Sequence, residues 1–201
     1  KQQGDRVMST QNHTREFFDL IKAIGETKSK QEEDKIIVKE LATLKQHVNN
    51  TKVTLKLMKE YIVRVLYCEM LGHDASFGYF YAIKLTSSKN LLEKRVGYLA
   101  VSLCIPKDHE LLLLIIANLQ RDLLSTNYLE VCCALSAATK LVNAETVPAL
   151  ADHVLKLKRH QNPAVRKKVI ALLHTFHTLA PGGVPDILEH AKEALCDEPS
   201  V

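Results

Sequence analysis

The chain has 201 residues, 46% of them apolar, and a formal net charge of +4, enough to bury a core and too little charge to support a general nucleic-acid-binding role. No apolar run approaches the ~18 residues of a membrane span, and the first residues, KQQGDRVMSTQNHTRE, hold no signal-peptide core, which points to a cytosolic chain. Five cysteines (Cys68, Cys104, Cys132, Cys133, Cys196) form an odd set without C-x-x-C spacing, so free thiols in a reducing compartment are expected rather than disulfides or a metal site.

Residues 1–13 are polar and unpatterned and are expected to be a flexible lead-in to a domain covering 14–201. Thr14 can cap a first helix whose stripe is Phe17, Leu20, Ile21 and Ile24. A second helix follows with Ile37, Leu41, Leu44 and Val48 on one face, and Lys35, Lys39, Glu40 and Lys45 on a face expected to be wet. The third, from Thr54 to Leu71, carries Leu55, Met58, Ile62, Val65 and Leu66 and stops at Gly72. After the GHDAS loop comes a short helix from Phe77 to about Leu85.

Leu92, Val96, Leu99 and Leu103 then recur at four, three and four residues, while Tyr98, Ala100 and Val101 fill much of the other side. Such a helix is expected to be central, with Leu99 buried. Gly97 in its interior implies close approach of a neighbouring helix. Two-residue alternation is scarce, so the chain is all-α.

Asn90, Asn127 and Asn162 open three similar helices at intervals of 37 and 35 residues. Each is a candidate N-cap; Glu93 and Glu130 stand in the capping-box position, and Pro163 in the first helical position. Between them lie a helix carrying Leu112, Ile115, Leu119 and Leu123 and another from about Glu145 to Lys158. Two helices per unit at this period indicate a HEAT or armadillo-like α-solenoid. Val165, Val169, Leu172, Phe176 and Leu179 make the last complete packing face. A final helix from Pro185 to about Leu195 has no successor, so the chain is expected to be the front of a longer protein.

Catalytic chemistry is weakly represented. His73, Asp74 and Ser76 share one loop, where loop capping is favoured over a triad. His174 and His177 lie at i, i+3 without a third ligand nearby. There is no phosphate-binding glycine motif, so neither an enzyme nor a cofactor is expected. Lys156, Lys158, Arg159, Arg166, Lys167 and Lys168 place six cations within thirteen residues. They are a candidate contact for anionic phospholipid headgroups, against a solvated face with ladder contacts between repeats. Phe80 and Ile83, beside Tyr79 and Lys84, fit a docking patch or core, and pattern alone favours core.

The segments MKEYIVRVLYCEMLGHDASFGYFYAIKL, NLLEKRVGYLAVSL and KDHELLLLIIANLQRDL resemble the amino-terminal trunk of the large adaptin subunits of clathrin-type adaptor complexes, most closely the epsilon branch of the fourth complex. The resemblance runs from Phe17 to the end. It implies a right-handed α-solenoid of helix pairs, assembled with a beta-type large adaptin, a mu medium chain and a sigma small chain that the trunk cradles. It implies non-enzymatic cargo sorting and vesicle formation at the cytosolic face of the trans-Golgi network, with recruitment by the GTP form of an Arf-family GTPase. On this resemblance Phe80, Ile83 and Lys84 fall at the GTPase contact, and docking is preferred over core.

Two departures bear on function. The plasma-membrane alpha-type relatives have a phosphoinositide-binding lysine run where this chain has Met58, Lys59 and Glu60 before Tyr61. Their first-helix arginine, which helps hold dileucine signals, aligns with Gly25. The competing class is a HEAT scaffold or nuclear transport receptor that binds peptides in its concave face; an acidic inner surface would be expected of it.

Overall fold

The structure is a computed structural model that describes residues 15–182 together with 189 and 192. Five of its helices begin where a side chain satisfies one of the first free amides, whereas those starting at Tyr79, Leu112 and Val147 have no side-chain cap. Asn90, Asn127 and Asn162 sit in extended backbone and accept from the amides of Leu92, Leu129 and Ala164 at 2.9, 3.0 and 2.9 Å. Ser29 and Thr54 cap two earlier helices in the same way. The elements are α1 (15–25), α2 (Lys30–Val48), α3 (Leu55–Met70), α4 (Tyr79–Thr86), α5 (Leu91–Cys104), α6 (Leu112–Leu123), α7 (Tyr128–Leu141), α8 (Val147–Lys156) and α9 (Pro163–Leu179). Single 3-10 turns, Ser76–Gly78 and Leu157–Arg159, precede α4 and α9. No strand occurs among the described residues.

The repeat expected from the three asparagines is present as stacked antiparallel hairpins. Helices α3, α5, α7 and α9 lie side by side in one layer, and α4, α6 and α8 in a second layer against it. Apolar side chains fill the space between: Leu85, Ile115, Leu119, Leu135, Leu150, Leu172 and Phe176 are fully buried, each worth about 1.5–3 kcal/mol of transfer free energy. The expected stripes of α6 and α9 are inside, with Leu179 half-buried. Gly72 ends α3 at φ +90°, a conformation that favours glycine. Gly97 permits a close helix contact, with α5 lying directly against the backbone of α4.

The caps differ from the expected box in one respect. The Asn90 amide donates to Ser88 Oγ at 3.0 Å, and that hydroxyl donates to Glu93 Oε2 at 2.6 Å. Asn127, Ser125 and Glu130 repeat this relay at 3.1 and 2.8 Å. In the third unit His160 Nδ1 takes the place of the serine, accepting from the Asn162 amide at 2.9 Å.

Three expectations are corrected. Leu99 is 52% exposed, and Leu92 and Leu103 are exposed with it. The buried side of α5 is Glu93, Lys94, Gly97, Tyr98, Ala100 and Val101. α5 has α3 and α7 beside it and α4 beneath it, so its fourth side is open. Glu40 is not wet, because it receives the buried Arg64 guanidinium at 2.7 Å. Ile21 on α1 is exposed rather than packed. The lead-in, the Thr14 cap, Cys196 and, apart from 189 and 192, the helix expected from Pro185 to Leu195 lie outside the described residues.

Candidate protein-interaction surface

The orientation of α4 is set from α3. Glu69, in the last turn of α3, accepts the Ala75 amide through Oε2 at 2.8 Å and the Tyr79 hydroxyl through Oε1 at 2.7 Å. Burial, with the Glu69 carboxylate beside it, pushes the Tyr79 hydroxyl above its ordinary pKa, so it stays a donor. Tyr81 donates to Asn49 Oδ1 at 2.6 Å. With both neighbours tied down, Phe80 faces outward and is 56% exposed, and Lys84, one turn on, is exposed as well. Ile83 is only 5% exposed and belongs to the core. The three expected GTPase-contact residues therefore do not share a surface: Phe80 and Lys84 are presented, and Ile83 supports them from inside.

The second exposed apolar feature is the α5 ridge of Leu92, Leu99 and Leu103, with Val96 half-buried among them. Beneath it is a buried polar clamp. Lys94 Nζ donates to Asp122 Oδ1 at 2.9 Å and stands 3.2 Å from Glu130 Oε2; the Tyr98 hydroxyl donates to Asp122 Oδ2 at 2.7 Å; and Arg121 Nε donates to Oδ1 at 3.1 Å. Burial, and then the bond to Asp122, raises the Tyr98 hydroxyl well above its usual range. The clamp joins α5, α6 and α7 and holds the ridge in place. A comparable device anchors the first helices, where Arg64 on α3 donates to Glu40 on α2 and to Glu16 on α1, the latter at 2.8 Å. Sequence periodicity gave no signal for Arg64, Lys94 or Asp122, because a charge is buried only when another segment supplies its partner.

The remaining candidates are placed as follows. His73 Nε2 lies 3.3 Å from Asp34 Oδ1 on α2, and Asp74 accepts the Ser76 amide at 3.0 Å. That bond holds the Asp74 carboxyl below its ordinary pKa. His73 thus turns to α2 while Asp74 and Ser76 close a local turn, an arrangement of loop capping in which the three side chains do not converge. His174 and His177 are both exposed on α9. Among the described residues, no group of three His, Cys, Asp or Glu could hold a metal ion. Lys59 is paired with Glu60 at 3.0 Å and Tyr61 is buried, so this position presents no lysine cluster.

The six cations divide. Lys168 donates to Ser136 on α7 at 2.6 Å, a ladder contact between neighbouring repeats, whereas Arg166 donates within its own unit to the carbonyls of His160 and Gln161 at 2.9 and 3.0 Å. Lys156, Arg159 and Lys167 are exposed, with Lys158 half-buried. No helix among the described residues is long and apolar enough to cross a membrane.

Comparison with known proteins gives one consistent result. The profile of the adaptin N terminal region matches residues 33–201. The chain is 50% identical over 184 residues to the AP-4 complex subunit epsilon of Arabidopsis thaliana, covering 92% of this chain and 20% of that protein. It is 48% identical over 178 residues to the human AP-4 complex subunit epsilon-1, covering 89% of this chain and 16% of that protein. The AP-1 complex subunit gamma-2 of Arabidopsis thaliana is 32% identical over 172 residues, 86% of this chain and 19% of that protein. The chain thus spans about a fifth of the length of the curated relatives it matches.

Proposed function

The chain belongs to the adaptin family of adaptor-complex large subunits through its N-terminal region, and on that premise we propose that it is the trunk of a non-enzymatic subunit of a heterotetrameric vesicle coat, acting in cargo sorting at the cytosolic face of the trans-Golgi network. Its partners are a beta-type large adaptin, a mu medium chain and a sigma small chain. An Arf-family GTPase in its GTP form recruits the complex through the exposed Phe80 and Lys84 on α4.

The observation that carries the proposal is the uncovered ridge of Leu92, Leu99 and Leu103. An apolar stripe repeating along a rigid, buried-clamp-supported helix is suited to a stable protein partner, and we assign it to the sigma chain. The exposed residues of α5, α7 and α9 include no carboxylate; Glu93 and Glu130, the acids of these helices, are each taken up by internal bonds. These three helices thus present no acidic face of the kind expected of a peptide-binding transport receptor.

Co-purification of the intact protein with sigma, beta and mu chains tests the proposal. Leu99→Asp with Leu103→Asp should leave helical content and melting temperature near wild type and should remove sigma. Full retention of sigma by this variant, or failure of the wild-type protein to capture any of the three chains, rejects the assignment.

A further inference from the structure

The junction of α4 and α5 holds three hydroxyls in a row, Thr86, Ser87 and Ser88, with Lys84 before them, Lys89 after them and no acid from 84 to 90. Packing separates the three. Thr86 is fully buried; its hydroxyl donates to the Ile83 carbonyl at 2.7 Å and accepts from Asn118 Nδ2 at 2.8 Å. Ser88 is buried as well, and its hydroxyl is engaged by Glu93 and the Asn90 amide at the start of α5. Ser87, Lys84 and Lys89 are exposed. Of the three hydroxyls, Ser87 alone can be approached from outside.

What faces Ser87 comes from α6. The Ser87 hydroxyl donates to Asn118 Oδ1 at 3.1 Å, and Arg121 Nη1 donates to the same oxygen at 3.1 Å, so hydroxyl and guanidinium share one acceptor atom. Two further acceptors hold Arg121 in place, the Thr86 carbonyl at 3.2 Å and Asp122 Oδ1 at 3.1 Å. A guanidinium carries more donors than these bonds use, and the Arg121 side chain is 50% exposed. The carbonyl end of α4 would by itself oppose a negative charge at Ser87, but Arg121 already covers the Thr86 carbonyl there. Lys84, one helical turn before Ser87, and Lys89, two residues after it, add two exposed cations to the same junction.

We propose that Ser87 is the phosphoacceptor of a serine/threonine kinase that selects lysine-flanked hydroxyls, and that Arg121 receives the phosphate. In the transfer the Ser87 Oγ attacks the terminal phosphorus of ATP. The Oγ–P bond forms as the bond from that phosphorus to the bridging oxygen breaks, ADP leaves with the electron pair, and the hydroxyl proton passes to a base of the kinase. The product has lost the proton that bonded Asn118. It carries instead about two negative charges on strong acceptor oxygens, to which Arg121 turns its unused N–H groups in a forked, charge-assisted contact. Lys84 is drawn to the same group across one turn of α4. Phe80 and Lys84 are the residues assigned to the GTPase, so phosphorylation weakens GTPase capture; this consequence rests on the adaptor reading, and the modification itself does not.

Incubation of the intact, native protein with ATP, magnesium and the catalytic domain of a protein kinase C-type enzyme tests the inference. Peptide mass spectrometry is expected to place phosphate on Ser87 and to find none in this junction in Ser87→Ala, whose Tm should equal that of wild type. Phosphorus NMR should then show the phosphate losing its second proton at lower pH in the folded protein than after unfolding in urea, by about one unit, a tenfold change in proton affinity. Arg121→Gln, shown by circular dichroism to be folded, should accept phosphate as wild type does and lose most of that difference. Phosphorylated wild type should capture the GTP-loaded GTPase about tenfold more weakly than the unmodified protein. If the unmodified protein captures none, the adaptor reading fails and the phosphate measurements alone decide this inference. Equal capture by both forms removes the link to the GTPase. No phosphate on Ser87, phosphate on Thr86 or Ser88 in its place, or a titration that is the same in folded and unfolded protein overturns the proposal.

Discussion

A Cβ placed on Gly97 would stand 2.6 Å from the backbone nitrogen of Thr86, with the Ala82 carbonyl oxygen at 2.8 Å. Both neighbours are main-chain atoms of α4, so neither can rotate away. Gly97→Ala gains about 1 kcal/mol of helix propensity but must push two packed helices apart, an overpacking cost of about 1–3 kcal/mol or more. Net destabilisation and a lower Tm are expected. Gly25, with nothing within 4 Å of its added Cβ, is the control: Gly25→Ala should leave Tm unchanged or slightly raised.

The buried pair of Lys94 and Asp122 makes a second prediction. Asp122 is 2% exposed and receives three donors, from Lys94, Tyr98 and Arg121. Asp122→Ala leaves a buried ammonium facing only Glu130, and about 3–5 kcal/mol should be lost in urea unfolding. Adding Lys94→Met should restore part of that loss, because it removes the buried charge. A double variant no more stable than the single one would mean that the hydroxyl of Tyr98, rather than the ammonium, is the group left in difficulty.

The division between Phe80 and Ile83 gives a third. Phe80→Asp should yield a folded protein that no longer captures the GTP-loaded GTPase and still co-purifies with sigma. Ile83→Asp places a carboxylate in the core and should give insoluble or unfolded protein. Circular dichroism of the two purified variants checks the structural half, and nucleotide-dependent pull-down the other. GTPase capture by Phe80→Asp at wild-type strength would remove α4 as the docking helix.

Alkaline pH provides a fourth. Burial pushes the Cys68 thiol from 9.0 up to about 11, and Cys104 rises to about 11 for the same reason. A folded-state pKa above the unfolded one means that the contribution is complete below pH 9 and is lost as pH rises towards 11, where the unfolded chain has already released its proton. Urea midpoints should therefore fall between these limits. Cys68→Ala should reduce the fall, and the thiol should react slowly with iodoacetamide below pH 9.

The sequence by itself determined the helices and their stacking. An asparagine before each repeat can satisfy amides two residues on, and a glycine inside an apolar helix has few uses other than close approach; both are local chemistry, readable from neighbours in the chain. The stripes of α6 and α9 were legible for the same reason, since a side chain's face follows from the helical period. Resemblance in the FGYFYAIKL and KRVGYLAVSL segments identified the family, which the profile match over 33–201 bears out.

Only the tertiary structure decided which apolar face is covered. The leucines of α5 repeat as regularly as those of α9, yet Leu99 is exposed and Leu172 is fully buried, because periodicity records that a face is apolar and not whether another element lies over it. Burial of Lys94, Arg64 and Asp122, the split between Phe80 and Ile83, and the meeting of Ser87 with Arg121 at Asn118 arise from partners and turns that are far apart in the chain. Their energies exist only once the hairpins are stacked.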